Sequence, residues 1–357
     1  MDKTRLYVDF HVLQTVPPSC VNRDDTGSPK TALYGGATRA RVSSQAWKRA
    51  MRIEFSDGLL SQEQMGKRTK KIVGMVAEQI AILAPEMDAP KLAKKALEDA
   101  GLKIASEEKG LDALFFMSLA QAKALAELAA KGCEDKKEYK SALKEAPSVD
   151  MVLFGRMVAS DPSLNYDAAA QVAHSISTHA VQNEYDYFTA VDDCVSEDNT
   201  GASHLGTGEY NSSTLYRYAT VNAAELAAQL GKKEVAGVIR AFADAFIRSM
   251  PTGKQNTFAN RTLPDAVYVT VRGDQPVNLC GAFEKAVPAT ERGFVEPSKE
   301  RLAKYAKEIY QNYTGVPEQA FVIGSGLEEL ASAIPMTAML DALEAAVRER
   351  ICGNGVE

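Results

Sequence analysis

The chain has 357 residues, a formal net charge of −6, 45% hydrophobic and 25% charged residues. That balance is ordinary for a globular protein and speaks against a protein that coats nucleic acid through its overall charge, and no apolar run reaches membrane-spanning length. Five scattered cysteines (Cys20, Cys133, Cys194, Cys280 and Cys352) argue against a disulfide framework or a zinc ribbon, so the expectation is a reduced, cytoplasmic protein with no membrane association, no bound metal and no cofactor.

The N-terminal stretch MDKTRLYVDF lacks the pattern of a signal peptide and reads as a strand. Over residues 5–14, Leu6, Val8, Phe10 and Val12 alternate with other residues, which predicts a half-buried strand. A turn-rich loop is expected from Pro17 to Gly36, then a short basic strand from Arg39 to Val42 and a helix capped by Ser43 or Ser44. From about 57 to 180 the chain is rich in Ala, Lys, Glu and Leu at helical spacing, which predicts an all-helical insert. Strands are expected at Tyr185–Val191 and Tyr210–Thr220, joined by a loop rich in Gly, Ser and Asp. A helix over 233–250, an alternating strand over 266–272 and helices near 297–312 and 337–351 complete the chain. Setting the insert aside, the order is β-α-β-β-α-β, so the fold class is α+β with the ferredoxin-like arrangement shared by RNA-recognition domains. The aromatic signature of an ordinary RNA-recognition motif is absent.

Between Lys30 and Arg52 there are six cations (Lys30, Arg39, Arg41, Lys48, Arg49 and Arg52) and no Asp or Glu. On a helix beginning at Gln45, the side chains of Gln45, Lys48, Arg49 and Arg52 fall within roughly a 100° arc. Trp47, Ala50 and Met51 lie opposite, as a packing face. The serines stand at the helix N-terminus, where backbone N–H groups and the helix dipole favour an anion. Cations one turn apart suit successive backbone phosphates; a solvated basic face is the competing reading, and the residues alone leave both open.

Other constellations are weaker. His174 and His179 are about 140° apart on a helix and have no zinc-protease glutamate between them, so packing or polar roles are expected. "PTGKQ" reads as a turn from which Lys254 can reach RNA or a neighbour. "EDKKEYKSALK" brings Lys136, Lys140 and Lys144 to one-turn spacing with Lys137 beside them, diluted by Glu134, Asp135 and Glu138. Asp24 and Asp25 of "NRDD" are the enzymatic lead, since adjacent carboxylates can hold Mg²⁺ for phosphodiester cleavage. The stronger reading is a loop making turns or subunit contacts. In "NEYDYFTAVDD", Phe188 lies on the opposite face of the strand from Tyr185 and Tyr187, and the hairpin has little apolar content to form a core. An exposed ring there can stack on a displaced base.

Taken together, "SCVNRDD", "LYGG", "RVSSQAWKRAMR", "AHSISTHAV", "YFTAVDD", "SHLGTGEYNSSTLYRYA" and "GAFEKAV" resemble the CasC family, the backbone subunits of the type I-E CRISPR surveillance complex Cascade. The resemblance covers almost the whole chain and is densest at 10–52 and 171–219. It implies a non-enzymatic, hand-shaped subunit: a palm (1–56 and 220–357), helical fingers (57–180), and a β-hairpin thumb with a flanking palm strand (181–219). Copies of it would polymerise along CRISPR RNA with other Cascade subunits and present the guide for pairing with target DNA in antiviral defence. The implied RNA contacts are Lys30, Ser43, Gln45, Lys48 and Arg52, joined by Arg41 and Arg49 of the same basic segment. Met157, Phe188 and Thr189 would pin the RNA where a base is flipped out. Lys136, Lys137, Lys140 and Lys144 would draw in duplex DNA. The chain departs from the family at Ala37 and Thr38, and at Pro288 and Thr290 after "FEKAV", where relatives carry basic residues; the nearby Lys285 and Arg292 are open to two readings, as substitutes or as simple surface charge. Related subunits of type III complexes cut RNA with a loop aspartate, so a metal-dependent ribonuclease using Asp24 and Asp25 is the alternative. A small-molecule enzyme on the same scaffold is a third, with no residue pattern to name its substrate.

Overall fold

The computed structural model describes residues 5–190 and 204–353. β1 (Tyr7–Ser19) runs through Pro17 and Pro18, and β2 (Thr31–Tyr34) and β3 (Ala37–Val42) form a hairpin about Gly35 and Gly36. Both glycines have positive φ, 57° and 73°, and a Cβ on Gly35 would fall 1.6 Å from the Glu284 carbonyl oxygen. Glycine is therefore required there both for the turn and for the close approach. α1 (Ser44–Glu54) follows, capped by Ser43, and passes into a short π-helical turn at Phe55–Leu59. Next come β4 (Gly66–Thr69), α2 (Ile72–Leu83), α3 (Ala89–Asp99), β5 (Phe115–Ser118), α4 (Leu119–Ala130), α5 (Lys136–Ala142) and α6 (Val149–Phe154). The chain then forms β6 (Ala170–Val172), β7 (Ser175–Ser177), β8 (Glu184–Ala190), β9 (His204–Asn222), α7 (Ala223–Leu230), α8 (Lys232–Arg248) and α9 (Gln255–Phe258). β10 (Ala266–Arg272), α10 (Val295–Ile309), β11 (Gln319–Gly324) and α11 (Met336–Cys352) complete it. Among the described residues no helix is long and apolar enough to cross a membrane.

The main sheet has the order β11-β10-β1-β9-β7-β3-β2, antiparallel throughout, with β6 also paired to β9. Counted along the chain as first to fourth, β1, β7, β9 and β10 lie in the spatial order 4-1-3-2, and the helices α1 and α8 of the two crossovers pack together. Val8, Phe10 and Val12 of β1 face a core shared with Trp47, Phe242, Phe246 and Leu343. Leu13 faces a second core with Tyr216, Tyr218, Tyr268 and Leu302. A third core, built from residues between Ile72 and Leu164, belongs to the insert alone. At its edge Arg156 is buried between the rings of Phe115 and Tyr166, and it donates to the carbonyls of Phe116, Leu143 and Leu164.

The structure corrects several expectations. β1 is buried on both faces, because α10 and the turn at Leu279–Phe283 cover the side that alternation leaves to solvent. The loop expected from Pro17 to Gly36 is shorter, since β1 extends to Ser19 and β2 precedes the glycines. The insert is not all-helical: β4 and β5 form a ribbon, and residues 170–177 are strands of the main sheet. Those strands, not the one at 184–190, supply the second position of the β-α-β-β-α-β order. β8 pairs with the first half of β9 as a hairpin running off the sheet, and all seven of its residues are exposed. α7 and β11 had no counterpart in the sequence reading. The helices at 232–248, 295–309 and 336–352 and the strand at 266–272 agree with it.

On the second face of β1, His11 Nδ1 lies 2.8 Å from the Tyr216 hydroxyl, while Asp9 accepts from the Tyr218 hydroxyl (3.0 Å) and the Val277 amide (2.8 Å). Burial, with Arg272 adding, presses His11 down from 6.5 to about 3. Burial lifts Asp9 from 3.8 to about 6, against the opposing pull of its hydrogen bonds and Arg272. On acidification from about pH 6 to about pH 4, the unfolded chain takes up a proton at His11 and the folded chain takes one up at Asp9. His11 therefore costs stability as pH falls, whereas the Asp9 contribution grows as pH falls and is lost as pH rises through about 6. His11→Gln should leave the Asp9 slope uncompensated, so that stability measured by urea unfolding gains about 1.4 kcal/mol per pH unit of acidification relative to wild type. Parallel stability profiles for the two proteins over that window would refute the assignment.

Candidate nucleic-acid interface

Ser43 caps α1 by accepting the Ala46 amide at 3.3 Å, and Trp47, Ala50 and Met51 are buried beneath the helix. Trp47 Nε1 donates to Ser175 Oγ at 2.9 Å, and the Arg217 guanidinium lies 3.7 Å from the indole centre. With that face fixed, helical periodicity turns Gln45 and Arg49 outward, both exposed, and leaves Lys48 half-buried at the edge. Lys48 Nζ stands 5.7 Å from the centre of the Phe154 ring. Its affinity for a proton is lowered by burial and then by the nearby charge of Arg68.

Two expectations are revised. Two N–H groups at the start of α1 are already in use: the Ser43 amide donates to Asn22 Oδ1 and the Ser44 amide to His174 Nδ1, both at 2.9 Å. The protein's own side chains therefore take up part of the anion site expected of the serine cap. Arg52 is also engaged, because its Nε donates to Asp150 Oδ2 at 2.8 Å, its Nη2 to the Gly66 carbonyl at 3.0 Å, and Asp150 Oδ1 accepts the Gly66 amide. The Asp150 side chain is fully buried, so this pair joins α1 to the insert and offsets the charge of Arg52. Arg39, part of the same basic run, is buried and donates to the carbonyls of Ser177, Phe283 and Glu284.

What remains is a row along one edge: Lys30 and Arg41 near the helix start, then Gln45, Lys48 and Arg49. His174 belongs with them. Burial, then Arg41 and Lys30, lower its pKa, consistent with a neutral ring accepting from Ser44. It lies on the turn between β6 and β7, not on the helix that the spacing argument assumed. The sequence reading gave His174 a generic polar role; its place in "AHSISTHAV" was the available signal. Arg68, missed altogether, lies in "GKRTKK", which repeats the acid-free basic pattern of 30–52.

The NRDD loop closes on itself. Asp24 Oδ1 accepts from the Thr26 amide (3.0 Å), the Thr26 hydroxyl (2.7 Å) and the Ser28 amide (3.0 Å), bonds that hold its pKa below the usual carboxylate range. The loop walls a groove of about 530 Å³ against Arg49 and Ile53 of α1 and the turn at 250–253. Gly253 meets the Val21 carbonyl where a Cβ would lie 2.0 Å away, so the turn bearing Lys254 is docked on the loop. Among the described residues no cluster of three or more His, Cys, Asp or Glu could hold a metal ion.

On the hairpin, Tyr185, Tyr187 and Phe188 are 68, 65 and 46% exposed and Thr189 is exposed. Phe188 pairs with Gly206, where a Cβ would fall 2.3 Å from its ring, so the glycine makes room for the aromatic. Met157 is 82% exposed just beyond α6. Lys285 is exposed and follows Glu284, the residue against which Gly35 packs, whereas Arg292 is paired with Glu300 at 2.8 Å. The insert lysines do not form an unpartnered row. Lys136 pairs with Asp99 (3.5 Å), Lys140 pairs with Asp161 (2.6 Å) and holds that carboxyl at about 2, and Lys144 lies past the end of α5. Lys137 and Lys144 are exposed.

An α+β protein with a large antiparallel sheet, a separately cored insert and a basic helix edge is what the fold and site define. The chain belongs to the CT1975-like protein family, whose model matches residues 8–347. It is similar to a chain of a solved "CRISPR RNA-guided surveillance complex, pre-nicking", with 32% identity and a TM-score of 0.79 over 96% of this chain and 100% of that one. It is also similar to a chain of a "CRISPR RNA-guided surveillance complex", with 29% identity and a TM-score of 0.64 over 95% of this chain and 99% of that one. No curated protein matches it.

These contacts separate Lys48 from Arg52. In single-stranded RNA binding followed against salt, Lys48→Ala should flatten the slope by about 0.7, the value for one phosphate. Arg52→Ala should leave the slope and instead destabilise the chain by about 3–5 kcal/mol, because Asp150 is left buried without its cation. Equal slope losses with unchanged melting temperatures would contradict this division.

Proposed function

We propose that the chain is a CasC-type backbone subunit of a type I-E Cascade, working in the cytoplasm, which polymerises along CRISPR RNA and holds it for base pairing with target DNA. The observation that carries the reading is the basic edge at α1, where Gln45, Lys48 and Arg49 project from a helix locked from beneath by Trp47, with Lys30 and Arg41 near its start. The 4-1-3-2 strand order supports a ferredoxin-like palm over 1–56 and 220–357, joined by the strands at 170–177. The separately cored insert supports fingers, and the exposed hairpin, with Phe188 and Thr189, a thumb. The similar chains come from RNA-guided complexes, which supports RNA as the ligand. In this reading Lys254 and Lys285 flank the RNA, Lys137 and Lys144 are the fingers' contribution to DNA, and the subunit does not cut. The three hydrogen bonds on Asp24 Oδ1 support a turn-forming role for the loop over a metal site.

Co-expression with a CRISPR array tests the reading: the purified chain should carry guide-length RNA in a large assembly and leave it intact with Mg²⁺. RNA-free monomer, or cleavage abolished by Asp24→Ala with Asp25→Ala, would overturn it. Phe188→Ala should weaken RNA retention by about 1–3 kcal/mol, one stacked base, without shifting the melting temperature of RNA-free chain. A loss of about 3–5 kcal/mol in fold stability would instead mark Phe188 as core.

A further inference from the structure

β4 brings a second cation to α1 from the insert. Arg68 is exposed, and its guanidinium lies 5.2 Å from the centre of the Phe116 ring, which also carries Arg52 at 4.8 Å. Lys48 rests on the neighbouring Phe154. The two arginines differ in their partners. Arg52 is matched by Asp150, whereas Arg68 and Lys48 have neither an ion pair nor a side-chain hydrogen bond among the described residues. Asp150 is the carboxylate whose charge reaches Arg68, and its oxygens are taken by Arg52 and the Gly66 amide. Lys48 stands one helical turn from Arg52, which shares the Phe116 ring with Arg68, so two cations positioned by aromatic rings lie on the same edge with their donors unspent. Ring contacts of this kind restrict the side chains before a ligand arrives, so less rotamer entropy is lost on binding. Lys70 and Lys71, further along, are a poorer case. The turn carrying Glu107 and Glu108 packs there, with the Leu111 amide donating to the Lys70 carbonyl at 3.0 Å.

We propose that Lys48 and Arg68 form a clamp for a single backbone phosphate of the RNA strand that follows α1, with Arg52 kept out of the contact by Asp150 and the Gly66 carbonyl. A phosphodiester suits the pair, since a guanidinium and an ammonium present N–H donors to its oxygens as charge-assisted hydrogen bonds. The clamp rests on the RNA-binding reading above and adds to it a contact from the insert.

The test is salt-dependent binding of single-stranded RNA, and in parallel single-stranded DNA, to the full chain carrying Arg68→Gln, Lys48→Gln, both substitutions, or Arg68→Lys. Each Gln variant should lower the RNA slope by about 0.7, and the double variant by no more than that, since both cations serve one phosphate. Arg68→Lys, which keeps the charge, should retain the slope. If wild type binds RNA and Arg68→Gln matches its slope, the clamp is wrong and the wider reading stands. A double variant losing twice the single value means two separate phosphates and overturns the shared clamp. A change confined to DNA overturns the assignment to RNA. If wild type binds no RNA, the reading beneath the clamp fails and takes the clamp with it.

Discussion

The guanidinium of Arg217, buried beneath α1, is the constraint on which the basic edge depends. It is 1% exposed, lies between the rings of Trp47 (3.7 Å) and Phe246 (4.7 Å), and donates to Gln14 Oε1 at 2.6 Å and to the Phe246 carbonyl. Removing a charge from water is costly, and here burial lowers Arg217 to about 9, still protonated at neutral pH. Two ring faces and two acceptors offset that cost without a carboxylate. Trp47 is thus held by Arg217 on β9 and by Ser175 on β7, and a helix with its tryptophan fixed has its opposite face fixed too. The placement of Gln45, Lys48 and Arg49 at the surface is a consequence of packing beneath them.

Arginine does much of its work inside this protein. Arg39, Arg156 and Arg217 are buried and spend their donors mainly on backbone carbonyls, where a planar guanidinium satisfies several acceptors at once. Arg52 bridges the main sheet's helix to the insert through Asp150, while Lys48 and Arg68 lie on rings to either side of that bridge. The join between the two cores and the basic edge are therefore built from the same residues. A formal charge count over 30–52 overstates the surface potential, since Arg39 and Arg52 are committed elsewhere, and understates its extent, since Arg68 joins from the insert.

Long, strongly periodic elements were legible in the sequence. The packing face of α1, its Ser43 cap, β10 and the helices α8, α10 and α11 follow from local pattern and capping chemistry. β6 and β7 were not, because strands of three residues carry no measurable period and gain their pairing from β9, 38 to 51 residues away along the chain. The burial of β1 on both faces escaped notice for a related reason. Asp9 looks like a solvent-facing residue until the Tyr218 hydroxyl and the Val277 amide that it accepts from are in place. At the candidate site, the helical face was legible and the partners were not. Asp150, His174 and Arg68 reach α1 through tertiary contacts from distant segments, and these decide which cations and which N–H groups remain for a ligand.

The proposed RNA path runs along the outward edge of α1. Ultraviolet crosslinking of the assembled particle to its own RNA, followed by identification of the linked peptides, addresses it directly. Crosslinks are expected within residues 41–52 of the basic edge and 185–189 of the hairpin. Crosslinks confined to α10 and α11, with none on α1, would contradict it.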